Sequence, residues 1–235
     1  METDARFRHE NKYLINKREM DCALARLSAF MKPDPHAEGG RYAIRSLYFD
    51  DPSGSAFEEK ESGVKSRHKF RIRIYNGLDD YIVLENKIKE GNYVRKDSAR
   101  LSRDEYGEIM SGRCDFLAKR GEAVAKDFLL DRKVNMLRPE VIVDYDRVPL
   151  VYAPGQVRVT FDMNVRSAFA DLDIFADPPS YQVFGQDMLI MEVKYTQFIP
   201  DVIRAVLPQE ACRMASSKYV LCDTIKRRIR GGYDK

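Results

Sequence analysis

The sequence predicts an α+β fold built on a large antiparallel sheet. Three observations lead there: many strand-like segments with two-residue alternation, few and mostly flanking helical segments, and a hairpin signal between two of the strands. What alternates is unusual. In Lys69-Phe70-Arg71-Ile72-Arg73-Ile74-Tyr75 a cation takes every second position. Successive side chains of a strand point to opposite faces, so Lys69, Arg71 and Arg73 share one face and the apolar residues share the other. The pattern returns in Arg8-His9-Glu10-Asn11-Lys12, Leu84-Glu85-Asn86-Lys87-Ile88-Lys89, Arg158-Val159-Thr160-Phe161-Asp162 and Met191-Glu192-Val193-Lys194-Tyr195.

Along the chain, residues 6–15 read as a first strand. Asn16 is the expected N-cap of a helix running to Met31, with Met20, Ala23, Leu24, Leu27 and Phe30 as its apolar stripe. Residues 32–40 hold two prolines and two glycines and read as a loop. Strands follow at about 41–49, 67–76 and 80–90, the last two joined by a turn that opens with Asn76-Gly77. Ser102 and Glu105 fit a capping box opening a short helix, and a second helical stretch covers about 115–131, weakened by Gly121. Strands at about 140–148, 156–166 and 188–195 precede helices near 200–207 and 216–230.

The 235 residues are expected to form a single domain, and 44% hydrophobic content suffices for a core. Lys and Arg total 40 against 37 for Asp and Glu, and a net charge of +3 is too small for a general nucleic-acid binder. Cys22, Cys114, Cys212 and Cys222 are scattered without metal-ligand spacing and read as reduced thiols. His9, His36 and His68 fit no zinc motif, which argues against a zinc hydrolase or a histidine-based triad. The first residues lack the apolar stretch of a signal peptide, and no apolar run approaches the ~20 residues of a membrane span. A cytoplasmic protein, meeting a membrane only through a partner, is the expectation.

A strand with one apolar and one charged face ordinarily buries the first and wets the second. Here several helices with apolar stripes also need surface to cover. If they cover the outside of a curled sheet, the charged faces point inward. Two unit charges ~6 Å apart repel by about 3 kcal/mol at an effective dielectric of about 20. Enclosed cations therefore need interleaved carboxylates, water and an anionic ligand. Glu10, Glu85, Asp162 and Glu192 share the cations' faces. That mixture suits a phosphate chain with a divalent metal.

The ordered set Arg8-x-Glu10-x-Lys12-Tyr13, Ser46-x-Tyr48-Phe49-Asp50, Lys69-x-Arg71-x-Arg73-x-Tyr75, Glu85-x-Lys87, Tyr145-x-Arg147, Arg158-Val-Thr-Phe-Asp162, Met191-Glu192-Val-Lys194-Tyr195 and Ser216-Ser-Lys-Tyr219 resembles the catalytic domain of the vacuolar transporter chaperone (VTC) family. These are polyphosphate polymerases among the triphosphate tunnel metalloenzymes. The resemblance covers about residues 6–222. It implies an eight-stranded antiparallel β-barrel tunnel with helices packed outside. It implies that Lys12, Arg71, Arg73, Lys87, Arg158 and Lys194 act on the transferring phosphates, with Lys69, Lys96, Tyr145, Arg147, Ser217 and Lys218 as further phosphate contacts. Glu192, with Glu10 and Glu85 as secondary candidates, would hold Mn2+ or Mg2+. ATP and inorganic polyphosphate are the implied ligands, with no nucleic acid and with a separate membrane protein as a conceivable partner.

The residue types suit that chemistry on their own terms. Phosphoryl transfer asks a protein mainly to position reactants and neutralise charge on equatorial oxygens. Arg supplies planar bidentate donors, Lys point charges, and Glu the hard oxygens that Mg2+ or Mn2+ prefers. Hydrolytic members of the superfamily begin with Glu-x-Glu-x-Lys, whereas Arg8 stands first here, which favours polymerase over triphosphatase. Eukaryotic members add a phosphate-sensing domain and membrane helices; this sequence is expected to be a stand-alone bacterial-type form. A tunnel triphosphatase and a non-catalytic polyphosphate- or nucleotide-binding subunit are the alternatives. Several residues carry plainer expectations: Lys65 and Arg67 as a solvated edge, Tyr48 and Phe49 as packing, Asp162 as a holder of a neighbouring Arg, His9 as structural, and Lys226 to Arg230 as a solvated helix end.

Overall fold

The computed structural model describes residues 8–231 apart from residues 92 and 209–211; residues 6 and 7 of the expected first strand lie outside the described residues. The chain opens with β1 (His9–Asn16), α1 (Lys17–Leu27), β2 (Lys32–Pro33) and β3 (Tyr42–Asp50). Then come α2 (Ser55–Glu61), β4 (Ser66–Tyr75), β5 (Leu78–Glu90), β6 (Tyr93–Leu101), α3 (Arg103–Met110) and α4 (Ala123–Val134). The last third holds β7 (Arg138–Tyr152), β8 (Val157–Ala168), β9 (Ser180–Gln182), β10 (Met188–Tyr195), α5 (Asp201–Arg204) and α6 (Lys218–Gly231).

Local chemistry explains the boundaries. Asn16 and Glu19 form a reciprocal capping box at α1, as Ser102 and Glu105 do at α3. Asn76 and Gly77 both take positive φ, 52° and 72°, the conformation a two-residue hairpin turn needs. The helix expected over 115–131 is divided: a 3-10 turn covers Asp115–Lys119 and α4 starts only after Gly121.

All pairings are antiparallel, in the order β1-β10-β8-β7-β3-β4-β5-β6, with β2 added to β7 and β9 to β8. The eight-strand path curls until its ends meet: Lys87 on β5 reaches Glu10 on β1 at 3.0 Å. The expected tunnel is therefore present as a curled sheet with a seam, not as a continuous ladder. Arg8 and Val94 form the one bridge between the edges among the described residues. Beyond it β1 runs past the start of β6, and its edge is taken by the segment before α6: Met214 N–H donates to Lys12 O at 3.0 Å, and Arg213 bridges Tyr13.

Alternation sorts the side chains. On the outer face Leu47, Phe49, Phe70, Ile72, Ile74, Ile142 and Leu84 pack under α3 and α4, and Tyr13, Ile15, Phe161, Met191 and Val193 under α1. One helix departs from the expectation of helices outside. α6 lies on the concave face, where Tyr219, Val220 and Cys222 pack with Ile44, Tyr48, Val143, Tyr145 and Val165. Lys226, expected to be solvated, is buried by this docking and is held by Glu140 and, at 3.6 Å, by Asp223.

Phe128 anchors α4, its ring meeting those of Phe49 and Phe70 edge-on at 5.0 and 5.3 Å. It is fully buried. Phe128→Ala is expected to cost about 3–5 kcal/mol in urea unfolding; a loss under about 1 kcal/mol would show that this packing is not what holds the outer wall.

Candidate functional site

The inner face of the sheet gathers ten cations: Lys12, Lys69, Arg71, Arg73, Lys87, Lys96, Arg147, Arg158, Lys194 and Lys218. Five carboxylates answer them: Glu10, Asp34, Glu85, Asp162 and Glu192. Lys12, Arg71, Arg73, Lys87, Lys96, Arg147, Arg158, Lys194 and Lys218 are bound to these carboxylates, several to a shared one, so the site is a set of linked knots.

In the first knot Glu85 on β5 receives Arg71 at 2.6 Å, Lys96 at 2.6 Å and Arg73 at 3.9 Å. Arg71 also donates to Tyr48 Oη at 2.8 Å, and Arg73 donates to Ser46 Oγ at 3.0 Å and Tyr145 Oη at 3.3 Å. The second knot, at the seam, is Glu10 with Lys12 at 2.5 Å and Lys87 at 3.0 Å. In the third, Arg147 grips Asp162 through two bonds of 2.6 and 2.8 Å and lies 3.7 Å from Glu192. Lys218, the first residue of α6, meets Asp162 at 2.5 Å and Glu192 at 3.8 Å, while Lys194 meets Glu192 at 3.0 Å. Arg158 pairs with Asp34 at 2.7 Å and donates to Tyr42 Oη at 2.8 Å. Lys69 places its ammonium 4.3 Å from the Tyr219 ring centre.

The structure thus brings Lys12, Lys69, Arg71, Arg73, Lys87, Lys96, Tyr145, Arg147, Arg158, Lys194, Lys218, Glu10, Glu85 and Glu192 onto one inner face. Ser217 stands at the entry to α6, where its Oγ accepts from Val220 N–H at 3.3 Å. Asp162 does hold an Arg. Tyr48 does more than pack, since its hydroxyl fixes Arg71. His9 faces the other way, stacked on Tyr195 at 5.0 Å. Sequence reasoning missed Asp34, Tyr42 and Ser46 as partners of the arginines. Asp34 lies in a loop, and only the fold brings it to Arg158; Ser46 shares the inner face of β3 with Tyr42 and Tyr48, a parity that could have exposed it.

Charge sharing shows in the protonation preferences. Burial and the neighbouring Glu192 work against the charge of Glu10, but Lys87, Lys12 and Lys194 outweigh them and hold its carboxyl at about 2. Burial likewise opposes ionisation of Glu85, and Arg71, Arg73 and Lys96 keep it well below the usual carboxylate range. Lys218 is also desolvated, yet Asp162 and Glu192 raise its pKa. Lys194 goes the other way. Burial pulls its ammonium down to about 8 against the attraction of Glu192 and Glu10, with Arg147 and Lys87 adding repulsion.

The family model of the VTC domain matches residues 7–224. The chain belongs to the VTC domain family. Membership points to a polyphosphate- or nucleotide-related function for this tunnel. No curated protein matches the chain. Among solved structures, this VTC domain is similar to a putative adenylate cyclase from Bacillus halodurans, with TM-score 0.52 and 14% identity over 87% of this chain and 94% of that one. It is also similar to the PH1012 protein from Pyrococcus horikoshii, with TM-score 0.50 and 13% identity over 91% and 98% of the two chains. Both likenesses concern the fold alone. Among the described residues of this VTC domain no helix is long and apolar enough to cross a membrane, and all four cysteines are free.

The Lys194 shift predicts a pH dependence of anion binding. Below about 8 the ammonium is charged, and a bound polyanion favours that state, so binding near pH 8 takes up a proton and weakens as pH rises. Stability runs oppositely: the folded pKa lies below the ordinary 10.5, so the unfolded chain holds more protons between those values and the fold gains stability as pH rises through that window. In metal-free chelator, calorimetric affinity for inorganic triphosphate is expected to fall by up to about tenfold per pH unit above this pKa, relative to a Lys194→Gln variant. Parallel profiles in both proteins would assign the effect to another group.

Proposed function

We propose that this VTC domain is a polyphosphate polymerase that transfers the γ-phosphate of ATP onto inorganic polyphosphate. The observation that carries the reading is the set of ten cations gathered around shared carboxylates on a curled inner face, within a chain of this family. A nucleic-acid groove would present its cations on an open surface with stacking aromatics; here they converge on the concave face of a curled sheet, which suits a thin polyanion.

In this reading a terminal phosphate oxygen of the polymer attacks the γ-phosphorus, the bond from that phosphorus to its bridging oxygen breaks, and ADP departs. The attacking oxygen is already anionic, so no general base is required. Arg71, Arg73 and Arg147, fixed by Tyr48, Ser46, Tyr145 and Asp162, are pre-positioned donors for phosphoryl oxygens. Lys12, Lys87 and Lys194 bind as point charges that exchange a carboxylate for a phosphate. Lys69, Lys96, Arg158 and Lys218 extend the track, with Ser217 beside Lys218 at its inner end.

The implied metal fits two of the three expected acids. Among the described residues no three metal-binding side chains cluster; Glu85 is locked by two arginines and Lys96, whereas Glu10 is held only by Lys12 and Lys87, whose flexible ammonium groups can turn to phosphate. Glu85 is therefore assigned to holding cations. Glu10 and Glu192 repel each other across the β1–β10 ladder, and Mg2+ or Mn2+ commonly binds one or two carboxylates plus substrate phosphates. Those two residues would hold it, and the ion would supply neutralisation of phosphate charge.

Purified protein given ATP and Mn2+ is expected to produce a polyphosphate ladder on gels with matching ADP. Arg71→Ala and Lys194→Ala should each lower that rate by at least about hundredfold. Both should keep a cooperative fold, since Glu85 retains Arg73 and Lys96 and Glu192 retains Lys218 and Arg147. Full activity in either variant would sink the tunnel assignment. Orthophosphate without polymer would indicate a triphosphatase, and ATP binding without turnover a binding subunit.

A further inference from the structure

The inner face of β8 presents Arg158, Thr160 and Asp162 in succession. Asp162 is fully engaged by Arg147 and Lys218. Thr160 is not engaged at all: the residue is 2% exposed, and its Oγ1 is buried with no hydrogen-bond partner. One step along the same face, Nε of Arg158 is also buried and without a partner, although the tip of that guanidinium is held by Asp34 and Tyr42.

Register explains why no protein group fills the role. Thr160 lies opposite Glu192 on β10, and Arg158 opposite Lys194. Glu192, the nearest acceptor along that rung, is committed to Lys194, with Lys218 and Arg147 also drawn to it. A buried hydroxyl left unpaired pays its full desolvation, and a valine of the same shape would avoid the penalty. β-branching also restricts χ1, so the hydroxyl has few directions in which to search for a partner. A polar atom held at a cost on the wall of a cationic lumen is suited to a ligand oxygen.

We propose that Thr160 Oγ1 and Arg158 Nε form a phosphoryl-oxygen subsite on the inner face of β8, each donating to a non-bridging oxygen of a polyanion lying in the lumen along the inner faces of β8 and β10. The assignment rests on the polyanion reading above and adds Thr160 as a positioning residue of the tunnel. Its role is to fix where along the track a phosphoryl group stops, which point charges on flexible lysines do poorly.

The test separates a ligand contact from a structural one. Thr160→Val deletes the hydroxyl and keeps the shape; Thr160→Ser restores the hydroxyl. Urea unfolding and calorimetric binding of inorganic triphosphate, without metal, are measured for both variants and the wild type. In Thr160→Val the urea midpoint should be unchanged or higher, while Kd for triphosphate rises about tenfold, equivalent to about 1.4 kcal/mol. Thr160→Ser should bind within about twofold of wild type. A lower midpoint in Thr160→Val overturns the proposal, because the hydroxyl then already has a partner in the free protein. Equal binding by Thr160→Val and wild type, or failure of Thr160→Ser to restore affinity, also overturns it while leaving the polyanion reading intact. Absence of triphosphate binding by the wild type would remove both.

Discussion

Everything in this protein depends on how an excess of positive charge is held inside a curled sheet. Each carboxylate on the inner face serves several cations: Glu85 binds Arg71 and Lys96 and draws Arg73, and Asp162 binds Arg147 and Lys218. Sharing satisfies the donors most deeply buried and leaves net positive charge on the lumen, a state that buried ions tolerate only with good geometry and further hydrogen bonds. The tyrosine and serine hydroxyls of Tyr42, Tyr48, Tyr145 and Ser46 supply those bonds. Because part of the concave face is charged, much of the cohesion of the fold comes from the opposite face, where alternating Ile, Leu, Val and Phe meet the helices, and the rest from the apolar cluster under α6.

α6 links the charged and the apolar parts of the concave face. Its first residue, Lys218, completes the Asp162–Glu192 knot; the next, Tyr219, is fully buried, donates to Asp50 and lies beneath the Lys69 ammonium. Further along, Lys226 ties the helix to Glu140 on β7, and Asp223 braces Lys226 and Arg227 within the helix. A helix that contributes to the charged site and fills the apolar part of the concave face cannot shift without disturbing the charge balance. The segment before it covers the free edge of β1, so seam, helix and site are mechanically linked.

Much of this was legible in the residues because it follows local rules. Two-residue alternation assigned Lys69, Arg71 and Arg73 to one face and Phe70, Ile72 and Ile74 to the other, and the capping boxes at Asn16 and Ser102 stand where their spacing put them. What escaped notice lacked such a pattern. β6 carries charge on both faces, with only Ala99 and Leu101 buried, so no alternation announced it. α2 is a single short helix whose start rests on Asp51 bonding Ser53 and Ser55. Lys226 reads as part of a basic tail until tertiary docking buries it. Asp34 and Thr160 acquire meaning only from register and contact, because their partners, or the lack of one, lie on other strands.

The internal carboxylates also bear on how tightly a polyanion can be held. In the free protein Lys12 and Lys87 rest on Glu10, and Lys194 rests on Glu192. A phosphate entering there exchanges one anion for another at each lysine, so the gain per contact is a difference between two ion pairs and not the attraction of a bare charge. The arginines differ, since their planar groups are fixed by hydroxyls and carboxylates along one edge and can keep those bonds while offering the other. On the proposed polyphosphate reading, a track that combines exchangeable lysines with fixed arginines would bind a long, uniformly charged chain with defined stopping points and let it advance one phosphate at a time, because each lysine contact trades one ion pair for another.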